Sequence, residues 1–130
     1  MPSEIRFSIA HELGHFYLPH HREVLLSGKW HSSHCDFVSD KSLEREADTF
    51  AASLLMPHDL FVDEVSSRGG GFCTLKDLTE LANNTFNTSI TSTALRYAHL
   101  NFEPCCVVLS RSQEVLYSVR SEDMRDMGLQ

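Results

Sequence analysis

The stretch Ile5-Arg6-Phe7-Ser8-Ile9-Ala10-His11-Glu12-Leu13-Gly14-His15-Phe16-Tyr17-Leu18 carries two superposed patterns. Ile5, Ile9, Leu13 and Phe16 recur at offsets of four, four and three, one stripe of an α-helix. The spacing predicts a helix from Glu4 to about Leu18, with Ser3 as its cap. The Leu18-Pro19 step ends it, because proline drives the preceding residue out of the α region. Off the stripe, His11-Glu12-Leu13-Gly14-His15 sets two imidazoles four residues apart. At about 100° per residue they lie about 40° apart on the wheel and one turn apart in height, so both can reach one metal ion. Neutral imidazole suits Zn2+. Glu12 points to the side of the pair, where an unligated carboxylate next to a metal serves as general base, as in the H-E-x-x-H pattern. The competing reading is a surface helix with two solvated histidines. Phe7, Gly14 and Leu18 flank the histidine face and oppose it.

A catalytic zinc keeps three protein ligands and one open position, so a third ligand is needed. A second helix, about Ser42 to Met56, is set by Leu43, Ala47, Phe50, Ala51 and Leu54 and closed by Pro57. It offers Glu44 and Glu46. Glu44 and Asp48 sit one turn apart at the margin of the apolar face, where a carboxylate pair is costly without a cation. Glu46 lies on the other margin with Phe50 at i+4 and has no comparable partner. Glu44 is therefore the expected third ligand. Asp48 is expected to accept a hydrogen bond from a ligand imidazole and fix its tautomer. The plain alternative is an acidic first turn favoured by the helix dipole.

Taken together, "IRFSIAHELGHFYL" followed by "LEREADTFAASLLMP" resembles the ImmA/IrrE family of zinc metallopeptidases, with the gluzincin set of two His and one Glu. The resemblance covers Ile5 to Pro57 and continues more weakly through "LTELANNTFNTSITSTALRYAHL". It implies an α+β, mostly helical fold: a zincin-like metallopeptidase core, a helical hairpin and a small C-terminal β-hairpin. It also implies Zn2+ on His11, His15 and Glu44, with Glu12 as catalytic glutamate and Asp48 at the position after the alanine. The implied activity is cleavage of a protein substrate, a cognate helix-turn-helix repressor or antitoxin, in mobile-element or stress-response regulation. Zincin-like folds generally place a helix and strands ahead of the motif helix, and here that helix starts near the amino terminus. Weakened peptide cleavage is then an expectation. The other function class is a non-catalytic module that senses zinc or holds a repressor without cutting it.

The 130 residues, 42% apolar and 22% charged, suit one globular domain. A net charge of −7, from 11 Lys+Arg against 18 Asp+Glu, argues against direct nucleic-acid or lipid binding. No secretory signal or membrane span is legible, which places the chain in the cytoplasm. Four cysteines without a C-x-x-C are then buried thiols, Cys105-Cys106 being strand packing. Oligomeric state is not legible.

Residues 19–41 read as an irregular loop, with His20-His21 solvated and His31, His34 and Cys35 as loop residues near the substrate cleft, a second metal site or a lid ligand being the alternative. Asp59 to Val65 reads as a short helix. Ser66 to Phe72, with Gly69-Gly70-Gly71, divides 1–68, the zinc-site helices, from 72–130, the two parts packing as one domain. Thr74 to Asp77 reads as a capping box. Helices to about Ala82 and from Ser89 to Leu100, joined by a turn over Asn83 to Thr88, pair as a hairpin. Few of their residues are basic, which speaks against DNA reading. Arg96, Tyr97 and His99 belong to a helix that could close over the cleft, with Arg96 the expected oxyanion cation. Cys105 to Leu109 and Val115 to Val119 read as a strand pair.

Overall fold

A computed structural model of the chain describes residues 1–26, 36–68 and 72–128, apart from the side chains of residues 25 and 36–40. Most of these residues are helical, with one two-stranded antiparallel sheet. Contacts divide the chain into Met1–Pro57 and His58–Gln130. The expected division lies later, at the glycine run. The helix after Pro57 joins the second unit because Phe61 stacks on Phe86 and Phe102 there.

In the first unit α1 (Ser3–Tyr17) packs on α3 (Asp36–Leu55), with α2 (Pro19–Leu26) between them in sequence. Ser3 is the first helical residue and not a cap: Pro2 holds the cap position without a side-chain bond. Pro19 opens α2, where its fixed φ and missing N–H are harmless. Part of the expected loop is thus a helix. His31, His34, Cys35 and Gly69-Gly70-Gly71 lie outside the described residues.

The face of α1 that packs is not the apolar stripe. Ile5, Ile9, Leu13 and Phe16 are exposed, whereas Ala10, Gly14 and His15 are buried. The reason is close approach. A Cβ on Gly14 would stand 3.2 Å from the Ala47 Cα and 3.2 Å from Phe50. On α3, Leu43, Ala47 and Ala51 of the expected stripe are buried, while Leu54 is exposed. Small residues set the contact and bury little apolar area.

The second unit has a larger apolar core. Phe61 of α4 (His58–Ser66) stacks on Phe86 and Phe102, and Tyr97 of α6 (Ile90–Leu100) stacks on Phe102. Thr74 caps α5 (Leu75–Glu80) in the expected capping box with Asp77. The chain then continues as a π-helical segment, Leu81–Phe86, in place of the expected turn, and ends at Asn87 in the left-handed region. Asparagine tolerates that conformation best among the non-glycine residues. Strands β1 (Cys106–Arg111) and β2 (Glu114–Arg120) pair antiparallel, with Cys106 opposite Arg120 and an irregularity between Leu109 and Ser110. Cys73 and Cys105 are only partly buried and Cys106 is exposed, in place of the expected buried thiols; Cys106 opens β1 of a two-stranded sheet, which leaves its residues at the surface. A short α7 (Glu122–Asp126), capped by Ser121, follows the strands and has no counterpart in the sequence reading.

Candidate metal centre

The contact that needs Gly14 also aligns the polar side chains beside it. His11 and His15 on α1 meet Glu44 and Asp48 on α3 along the edge of the Ala10, Gly14, Ala47 and Ala51 contact. His11 Nε2 lies 2.9 Å from Glu44 Oε2, and His15 Nε2 lies 3.2 Å from Glu44 Oε1. The two ring nitrogens are 3.1 Å apart. Tetrahedral zinc with bonds of about 2.0–2.1 Å separates its donors by about 3.3 Å, so the spacing fits such an ion.

Proton positions strengthen the fit. His11 Nδ1 is 2.9 Å from Asp48 Oδ1. An ionised carboxylate only accepts, and His11 lies between two of them, Asp48 at Nδ1 and Glu44 at Nε2. With a cation shared by the two Nε2 atoms and Glu44, the proton of the neutral ring sits on Nδ1 toward Asp48 and Nε2 is free to ligate. His15 is buried and the Glu44 side chain is 47% exposed, so the cluster opens to solvent on the Glu44 side. Glu12 is exposed and is not one of the three donors.

The structure thus brings His11, His15, Glu44 and Asp48 together. Arg96 lies in the second unit on α6, where burial lowers the pKa of its guanidinium. The cluster itself is assembled entirely from the first unit.

Two further residues depart from the sequence expectation. His21, expected to be solvated, is 1% exposed, with Nδ1 2.9 Å from His15 Nδ1 and Nε2 3.0 Å from Glu46 Oε2. Glu46, expected to lack a partner, also pairs with His20. Hydrogen bonds from His21 and then His20 hold the Glu46 carboxyl below the usual carboxylate range. The available signal was Pro19: a proline directly after one helix suits the first turn of the next, which returns His21 to the core. His20, His21 and Glu46 form a second group whose donor atoms converge. A cleft of about 450 Å3 lies beside Glu46, between Leu18 and Phe50, and includes none of the His11, His15 and Glu44 donors.

Comparison with known families matches residues 1–71 to peptidase family M78, described as the IrrE N-terminal-like domain. The chain belongs to the ImmA/IrrE family. That family is one of zinc metallopeptidases, and the segment matched to it contains all of His11, Glu12, His15, His20, His21, Glu44, Glu46 and Asp48. No individually curated protein matches the chain. No helix among the described residues is long and apolar enough to cross a membrane.

Proposed function

We propose that this ImmA/IrrE-family chain is a zinc-dependent endopeptidase with a zincin-like core, acting in the cytoplasm on a helix-turn-helix repressor or antitoxin. One observation carries the reading: the Nε2 of His11, the Nε2 of His15 and the Glu44 carboxylate converge within 3.2 Å of one another on a solvent-open side. His11, His15 and Glu44 would hold the ion, and Asp48 orients His11 through its Nδ1 proton. Zinc bound there supplies Lewis-acid polarisation and brings the pKa of water to about 7. Glu12, one residue from His11 and not a ligand, takes the proton of the attacking water and returns it to the departing amine. Burial of His15 and the Asp48 bond to His11 fix both imidazoles before substrate arrives, so little reorganisation accompanies the reaction. Arg96 keeps its proposed role as an oxyanion cation on the sequence pattern alone, and an unchanged kcat in Arg96→Ala withdraws it. The acidic balance makes the repressor protein, and not its DNA, the proposed partner.

The test is incubation with a candidate repressor, with and without chelator, using wild-type protein and Glu12→Gln. A single chelator-sensitive cut that Glu12→Gln slows by about 100- to 10,000-fold, with zinc content unchanged, supports the reading. Equal cleavage by Glu12→Gln ends it. Zinc retained by Glu44→Ala would return the third-ligand role to Glu46 or His34. Zinc binding without any cut would instead assign a binding or sensing module.

A further inference from the structure

We propose that His21 and Glu46 are positioning residues that fix the proton of His15, and that the His20, His21 and Glu46 group is this relay and not a second metal site. The inference rests on the zinc-site reading above. At the far end of the chain of contacts Glu46 accepts only, so His21 Nε2, 3.0 Å from Glu46 Oε2, carries the proton. A neutral His21 then has a bare Nδ1. That atom is 2.9 Å from His15 Nδ1, and two bare nitrogens cannot bond, so His15 Nδ1 is the donor. The consequence reaches the cluster: His15 Nε2, 3.1 Å from His11 Nε2 and 3.2 Å from Glu44 Oε1, is left to offer its lone pair to an ion shared by the three.

Both imidazoles of the cluster are therefore set in the ligating tautomer from behind, but by different means. His11 is served directly by Asp48, 2.9 Å from its Nδ1. His15 reaches Glu46 through an intervening imidazole. His21 is fully buried, so both of its nitrogens need partners, and the relay supplies both. His20, which also pairs with Glu46, anchors the carboxylate at the exposed end.

The same proton positions separate the two candidate metal groups. A metal on His21 Nε2 would move that ring's proton to Nδ1, turning it into a donor toward His15 Nδ1. His15 would then carry its proton on Nε2 and could not ligate as a neutral ring. With neutral rings the two groups exclude one another, and one zinc among the described residues follows.

Two measurements test this. In zinc-loaded protein, nitrogen-15 NMR reads the tautomers directly: His21 is expected to be protonated at Nε2 and bare at Nδ1, where it accepts from His15. A zinc-loaded protein with His21 protonated at Nδ1 overturns the relay whether or not the chain is a peptidase, so this outcome is separate from failure of the zinc reading, which absence of zinc binding would show. Zinc affinity, by competition with a chelator, is then compared in two variants that differ in which end of the imidazole they imitate. His21→Asn keeps an acceptor near the Nδ1 position, and His21→Gln keeps a donor near the Nε2 position without that acceptor. His21→Gln is expected to weaken zinc by about 10- to 100-fold, and His21→Asn to recover most of it. Equal loss in both variants, or none in either, overturns the relay, because a merely structural role would not distinguish the two ends. A second equivalent of zinc that disappears in His20→Ala overturns it as well.

Discussion

The two units of this chain bury very different things. In Met1–Pro57 the contact between α1 and α3 is lined by Ala10, Gly14, Ala47 and Ala51, and the larger buried groups beside it include the imidazoles of His15 and His21. In His58–Gln130 the core is Phe61 stacked between Phe86 and Phe102, with Leu78, Leu81 and Tyr97 around it. The first interior is thin and close-packed, with imidazoles buried alongside Leu43 and Met56; the second is broad and apolar. Thin packing carries chemistry because it lets two backbones approach until side chains on their edges share one ion. Broad packing carries stability, since apolar area removed from water is the main favourable term. The glycine and alanines of the first unit thus serve position more than burial.

Phe61→Ala should produce the largest loss of stability. The residue is fully buried, and its truncation should cost about 3–5 kcal/mol in denaturant unfolding. Zinc affinity of the folded fraction should stay within about twofold of wild type if the two interiors divide labour as described, a change of under about 0.5 kcal/mol in binding free energy. A large loss of affinity would break the division.

Gly14→Ala should act the other way round. Alanine gains about 1 kcal/mol of helix propensity, against about 1–3 kcal/mol for the crowding of a Cβ 3.2 Å from the Ala47 backbone. Stability should fall only modestly. Zinc affinity should fall by about tenfold or more, because the ligands sit on the two helices being pushed apart. Unchanged affinity with an intact fold would show that Gly14 is there for packing alone.

The smallest expected effect is a pH dependence in the second unit. Burial first, then the charges of Arg125 and Arg96, lower the pKa of His99 below its ordinary value of 6.5. The unfolded chain therefore binds the proton before the folded one does. The stability that His99 contributes as a neutral, partly desolvated ring is complete above about pH 6.5 and falls as pH drops from there toward the folded-state value. His99→Gln should flatten that slope in denaturant midpoints measured on either side of this window. An identical slope in the variant would move its origin elsewhere.

Much of the site was legible in one dimension. His11 and His15 are a helical turn apart on a single element, and so are Glu44 and Asp48. Local periodicity alone therefore places each pair on a shared face. The second-unit cap at Thr74 and Asp77 was legible for the same reason, since its bonds span three residues. The apolar stripe of α1 misled, because periodicity records hydrophobicity but not the closeness of a neighbour. Ile5, Ile9, Leu13 and Phe16 keep the right spacing and stay exposed, while Gly14 takes the contact.

By itself the sequence determined the helices that carry the ligands, their spacing and the family, since these depend on residues close together in the chain. Only the tertiary structure decided which face of α1 packs, and which of two glutamates two residues apart faces which histidines. It alone joined His21 to His15 and Glu46. Those choices depend on backbone separation and on where each proton goes, quantities fixed by contacts across 6 to 37 residues of chain.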